Sequence, residues 1–128
     1  MTIVVPNASE VEMLKAITQQ NLILKLFSNN VTPAETDTVS TYTEVSGGGY
    51  SEKNLNNNTW AYNGGDPSSA TYPQVTFEFN SAVGLIYGYY VIKSTGELMW
   101  SERFTTQPNI PSGGGAININ LTFTLSTV

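Results

Sequence analysis

Ile117-Asn118-Ile119-Asn120-Leu121-Thr122-Phe123-Thr124-Leu125 alternates apolar and polar residues without a break. A period of two places Ile117, Ile119, Leu121, Phe123 and Leu125 on one face of an extended chain and the Asn and Thr residues on the other. The stretch predicts a long amphipathic strand, half buried and half solvated. Upstream, Leu85 to Ile92 is apolar and aromatic, and Glu97 to Phe104 alternates, with Leu98, Trp100 and Glu102 on one face and Met99 and Arg103 on the other. Lys93-Ser94-Thr95-Gly96 joins these two runs, with Gly96 able to take the left-handed residue of a short hairpin loop. Val75, Phe77 and Phe79 alternate with Gln74, Thr76, Glu78 and Asn80 in a further half-buried strand.

The first half of the chain carries weaker strand signals. Leu22, Leu24 and Leu26 share one face, with Ile23, Lys25 and Phe27 on the other, so this strand is expected to be covered on both sides. Thr38 to Val45 reads as a polar, Thr-rich strand, and Tyr50 to Leu55 and Thr59 to Tyr62 as short ones. Asn63 to Ser69, rich in Gly, Asp and Pro, reads as an exposed loop. One helix is expected over about 9–20. Ser9 with Glu12 forms a capping box, with Asn7 and Glu10 as an alternative cap, and Val11, Leu14 and Ile17 form the apolar stripe. The pattern predicts seven or eight strands, one short N-terminal helix and no alternation of helices with strands. The fold class is therefore mainly β: an antiparallel β-sandwich, jelly-roll-like, in a single domain over 1–128 with a short N-terminal arm at 1–7.

Composition narrows the chemistry. The 128 residues carry a formal charge of −5, with no Cys and no His. No disulfide or Cys-based metal site is possible, and the commonest general base is missing. Arg103 stands with only four lysines, so a basic patch for nucleic acid is not expected. Asn, Ser and Thr make up nearly a third of the chain, as turn formers and solvent-facing strand positions. No apolar run reaches the ~20 residues of a membrane span. Met1-Thr2-Ile3-Val4-Val5-Pro6 lacks the positive start and long apolar stretch of a secretory signal.

Several residue groups invite a chemical reading. Gly47-Gly48-Gly49, Gly64-Gly65 and Gly113-Gly114-Gly115 precede no helix and no Lys-Ser or Lys-Thr, so they read as turns or close backbone approaches rather than phosphate loops. Glu97 and Glu102 lie five apart on one strand and face opposite sides, which is a poor geometry for a pair of glycosidase carboxylates. Glu35 to Asp37 and Asn63 to Asp66 lack the spacing of a calcium loop. Tyr87 and Tyr89, expected on one face with Tyr90 opposite, form with Trp60 and Trp100 core packing, a sugar-stacking platform or a subunit contact. Ile3, Val4, Val5 and Pro6 are too apolar to hang in water and are expected either to pair within their own sheet or to contact another subunit or partner. No catalytic residue, cofactor or metal is assigned.

Taken in order, several stretches resemble a known group. Val4-Val5-Pro6-Asn7 with the helix carrying Glu10 and Leu14, then Leu24-Lys25-Leu26-Phe27-Ser28-Asn29-Asn30, resembles the start of small virion proteins of tailed bacteriophages, cyanophages among them. Tyr42-Thr43-Glu44-Val45-Ser46-Gly47-Gly48-Gly49-Tyr50 is similar to a segment of the same group, and Trp60, Gly88-Tyr89-Tyr90-Val91 and Trp100-Ser101-Glu102-Arg103-Phe104 follow in matching order. The resemblance covers most of the chain. It implies a structural, non-enzymatic protein of the particle, most like a capsid decoration or cement protein. Such a protein clusters as a homotrimer on the outer head surface and bridges major capsid proteins to stabilise the expanded capsid. The implied partners are the major capsid protein and further copies of the chain, with no nucleic acid and no membrane. The implied location is the phage head surface, after synthesis in the bacterial host cytoplasm. A tail, head–tail connector or fibre component, or a carbohydrate-binding β-sandwich module, are the alternatives.

Overall fold

The computed structural model describes residues 3–125. The chain is mainly β, with antiparallel ladders and one short helix, as the periodicity predicts, and it is consistent with a β-sandwich. The elements are α1 (Asn7–Thr18), β1 (Leu22–Phe27), β2 (Lys53–Leu55), β3 (Ala61–Asn63), β4 (Ser68–Phe79), β5 (Gly84–Leu85), β6 (Gly88–Lys93), β7 (Leu98–Arg103), β8 (Asn109–Ile110) and β9 (Gly115–Leu125). Three sheets are ordered β2-β1-β6-β7, β3-β4-β9 and β5-β8. Contacts divide the chain into two compact units. One holds Met1–Asn21, Asn56–Val75 and Ile119–Val128; the other holds Leu22–Leu55 and Thr76–Asn118.

The second unit is built on β1. Leu22, Leu24 and Leu26 are fully buried on one face, each contributing about 1.5–3 kcal/mol of apolar burial. On the other face Phe27 joins Tyr42, Tyr90 and Ile92, with Tyr42 stacked on Tyr90 at 5.1 Å between ring centroids. Both faces of β1 are therefore covered, as expected. β1 pairs with β6 over its whole length, Leu22 with Lys93 through Phe27 with Gly88. On its other side β2 pairs only with Leu22 to Leu24. Past that point the loop takes over. Val45 donates its N–H to Leu26 O (2.9 Å), Tyr50 Oη accepts from the Leu26 N–H (3.2 Å), and Phe27 bridges to Glu44. Lys25, 18% exposed, lies between Glu44 (3.4 Å) and Glu52 (3.5 Å), and Tyr50 donates to the second oxygen of Glu44 (2.8 Å).

The β6–β7 hairpin forms as predicted. Gly96 has φ +108°, and its N–H donates to Lys93 O (2.8 Å). Its faces do not follow the predicted alternation. Val91 pairs with Trp100 but Ile92 pairs with Leu98, so Met99 is an extra residue. Leu98 therefore packs against the Tyr90 cluster, while Trp100 follows the face of Val91. The expectation that Leu98 and Trp100 share a face is corrected by this bulge. Tyr87 is corrected for a related reason: it precedes β6, where the backbone is no longer a regular strand, and it packs with Tyr90 instead of sharing Tyr89's face.

Other boundaries differ from the sequence reading. Thr38 to Val45 forms no strand. Thr38 and Thr41 cap each other across a single turn at Val39–Thr41, because short hydroxyl side chains satisfy the backbone locally. Leu85 to Ile92 breaks at Ile86-Tyr87 into β5 and β6. β4 starts at Ser68, inside the stretch expected to be loop, and Ser68 is fully buried. Its Pro73 lies past the β3 ladder, which ends at Thr71, so it removes no bond to β3.

In the first unit α1 starts two residues before Ser9 and has no side-chain cap. Pro6 takes the cap position, and its carbonyl accepts from Ser9 and Glu10. The capping-box expectation fails because both carboxylates are engaged elsewhere: Glu12 faces Lys15 at 3.6 Å, and Glu10 is 3% exposed. Ser68 donates to Glu10 Oε1 (2.9 Å), and the Asn7 amide, turned to satisfy its neighbours, donates to the same oxygen (3.2 Å) and to Gly65 O (3.1 Å). Below it Leu14 is fully buried, and Thr18 donates to Leu14 O (2.9 Å) and accepts from Tyr62 Oη (2.8 Å). The buried stripe is thus Glu10, Leu14 and Thr18, not Val11, Leu14 and Ile17.

Gly88 sits opposite Phe27 and Arg103 in the middle of the four-stranded sheet. A Cβ there would lie 2.6 Å from the Phe27 ring and would overlap the Glu102 carbonyl oxygen. Gly88→Ala is expected to destabilise the protein by roughly 1–3 kcal/mol through overpacking, read as a lower denaturant midpoint with an unchanged slope.

Candidate functional site

The apolar arm Ile3-Val4-Val5-Pro6 belongs to no sheet and stands outside every ladder among the described residues. Ile3 is 81% and Val4 77% exposed, and Val5 is half-buried. Pro6 (φ −61°, ψ 153°) carries the extended backbone up to the first turn of α1. Of the two outcomes expected from sequence, pairing within its own sheet does not occur. Two β-branched side chains held in water are a standing hydrophobic cost, which association would relieve by about 1.5–3 kcal/mol per side chain before ordering costs.

The same unit contains β9 from Ile119 onward. Ile117, Ile119 and Leu121 are buried and Asn118, Asn120, Thr122 and Thr124 are exposed, as the alternation predicts. β9 is last in its sheet order, with β4 as its ladder partner. Thr76 Oγ1 donates to Asn118 Oδ1 (2.7 Å) across that pair.

The second unit offers two open clefts. One, of about 460 Å³, lies between the loop carrying Pro33, Glu35 and Asp37 and the outer strand β7 at Met99, Trp100 and Ser101. Asp37 Oδ2 accepts from Ala34 N–H (2.8 Å) and Tyr42 Oη (2.7 Å), and Ser101 donates to the same hydroxyl (2.7 Å). The cleft therefore holds a fixed carboxylate, while the Trp100 indole turns to the other face of the sheet and reaches the Tyr89 hydroxyl. The other, of about 480 Å³, lies between Gly49–Lys53 and Thr76–Asn80, but its central ring, Phe77, is buried.

The remaining sequence candidates are dispersed. Tyr89 is buried, its hydroxyl held by the Glu102 carboxylate and the Trp100 indole, so its ring face is closed to a sugar. Tyr87 lies under the Arg103 guanidinium at 5.3 Å. Glu78, Glu97 and Glu102 are exposed on separate stretches. Among the described residues no three Asp or Glu side chains gather as a metal site, and no described helix is long and apolar enough to cross a membrane. Gly47, Gly48 and Gly49 all have positive φ, and Gly114 (φ +80°) abuts the backbone of Phe79 and Asn80, so these clusters serve turns and close packing. The cleft at Trp100 was not legible in the sequence: Glu35 and Asp37 are more than sixty residues away, and the bulge at Met99 decides which way Trp100 turns.

Four tyrosines of the second unit are held neutral. Burial raises the Tyr90 hydroxyl from 10.0 to about 12, with Glu44 and Glu52 adding to it. Burial likewise raises Tyr50 and Tyr89 further, helped by the Glu44 and Glu102 carboxylates, and raises Tyr42, helped by Asp37. Between the unfolded value and the folded one, the folded chain binds more protons, so stability falls as pH rises. Stability with respect to these groups is expected to be flat below pH 10 and to fall from pH 10 towards about 12, followed by tyrosinate absorbance together with far-UV circular dichroism. Comparison of the chain with protein-family models, with curated proteins and with solved structures gives no match.

Proposed function

We propose that this chain is a non-enzymatic structural protein of a tailed-phage particle: a decoration protein that clusters, as a trimer, on the outer head surface and bridges major capsid proteins to stabilise the expanded shell. The observation that carries this reading is the exposed apolar arm at Ile3 and Val4, outside every sheet among the described residues. It fits a protein whose work is association. The resemblance of the stretches around Leu24–Asn30, Tyr42–Tyr50 and Trp100–Phe104 to small phage virion proteins supplies the biological setting.

The energetics suit that role. One arm offers two or three aliphatic side chains for burial, roughly 3–9 kcal/mol gross, against about 1–2 kcal/mol of ordering per residue. A single contact is therefore weak. Many copies acting together on one shell hold firmly through effective concentration. The net charge of −5 and the Asn, Ser and Thr on exposed strand positions favour solubility of a particle coated with such domains.

The test is immunogold electron microscopy of intact particles with antibody against this chain. Gold spread evenly over the head is the expected result. Gold confined to the neck, tail or tail tip would replace this reading with a connector, tail or fibre component.

A further inference from the structure

We infer that the apolar arm of one copy adds as a strand along the outer edge of β9 in a second copy, over Ile119–Thr122. It rests on the preceding reading only for the setting of the assembly, and names the acceptor that reading leaves open.

The acceptor stands out among the strand edges. An edge strand presents alternate N–H and C=O groups outward, and proteins blunt this with short strands, charges, bulges or proline. β2 and β3 have three residues each. β7 carries Glu102, Arg103 and the bulge at Met99. β4 past the β3 ladder carries Pro73 and Glu78. β9 has eleven residues, Gly-Ala-Ile-Asn-Ile-Asn-Leu-Thr-Phe-Thr-Leu, with no charge and no proline. Among the described residues it is the long edge that carries none of these protections.

The donor has matching properties. Ile3, Val4 and Val5 are β-branched, aliphatic and uncharged, which is the composition that adds well to a sheet. Pro6 limits the added strand, because it has no N–H to donate and begins the turn into α1. In an added strand Ile3 and Val5 fall on one side and Val4 on the other. Either arrangement places an aliphatic side chain beside the buried row of Ile119 and Leu121 and extends that apolar layer. Among the described residues the arm makes no such ladder within its own chain, which leaves it free for the edge of a second copy.

Donor and acceptor are different surfaces, so the contact is heterologous. Each copy gives one arm and receives one, and the assembly closes into a ring when the rotation permits. The contacting segments are uncharged while each copy carries −5, so added salt is expected to strengthen association by screening repulsion between copies.

The chain has no cysteine, which permits a direct test. Tagged Ile3→Cys or Val4→Cys protein is mixed with untagged Asn120→Cys or Thr122→Cys protein in a glutathione redox buffer. Thr95→Cys, in the exposed β6–β7 hairpin loop, serves as the comparison partner. The expected result is a tagged–untagged disulfide several-fold more abundant with position 120 or 122 than with position 95. In parallel, sedimentation of the full chain over a concentration series is expected to show a small oligomer. The double variant Asn120→Lys, Thr122→Lys, at two exposed positions, is expected to weaken that oligomer at least tenfold with an unchanged far-UV spectrum. A monomer at every concentration, equal disulfide yields at all positions, or an oligomer indifferent to the two lysines would overturn the inference. A monomer in solution with gold on the phage head would overturn it and leave the decoration reading intact. A ring in solution with no gold on particles would do the reverse.

Discussion

The coverage of β1 on both faces is the constraint on which the second unit depends. Three leucines fill one side completely, and Phe27 anchors an aromatic group on the other. A central strand of this kind must also satisfy its backbone on both edges. β6 does so along one edge for all six residues. On the other edge a short β2, the Val45 amide and the Tyr50 hydroxyl divide the task. Lys25 is tolerated on this strand because Glu44 and Glu52 converge on it, and Glu44 also accepts a hydrogen bond from the Tyr50 hydroxyl. Gly88 is required where β6 passes between Phe27 and the Glu102 carbonyl.

The first unit solves a different problem. Its helix is twelve residues long, too short to persist alone in water. Leu14 supplies the apolar anchor, but the two ends of the buried stripe are polar. Glu10 is compensated by Ser68 and Asn7, and Thr18 by Tyr62 and the Leu14 carbonyl. Each of these bonds is modest, yet leaving any of the buried groups unmatched would cost about 1–3 kcal/mol. The network therefore specifies where the helix lies in its unit more than it adds net stability.

The arm and the β9 edge have the complementary deficits of a free apolar segment and an unprotected uncharged strand. Both belong to the unit whose own stability comes from a short helix and a small sheet. In the other unit, the tyrosines shielded from ionisation pack in the core and at the sheet edge. The decoration reading draws its support from these association features and from the phage resemblance.

The mainly-β class, the double coverage of β1, the β6–β7 hairpin and the two faces of β9 are legible in residue order alone. They follow from local periodicity and from one glycine with positive φ, and such signals act over two to four residues. The remaining features depend on contacts between residues far apart in the chain. The bulge at Met99 moved Leu98 away from Trp100, and the break at Tyr87 moved that ring to the Tyr90 side, because a single unpaired residue reverses every face after it. Glu10 gave up a capping role because Ser68, fifty-eight residues away, receives it in the interior. The arm's exposure likewise depends on which strand edges the fold leaves open, and pairings between residues far apart in the chain decide that.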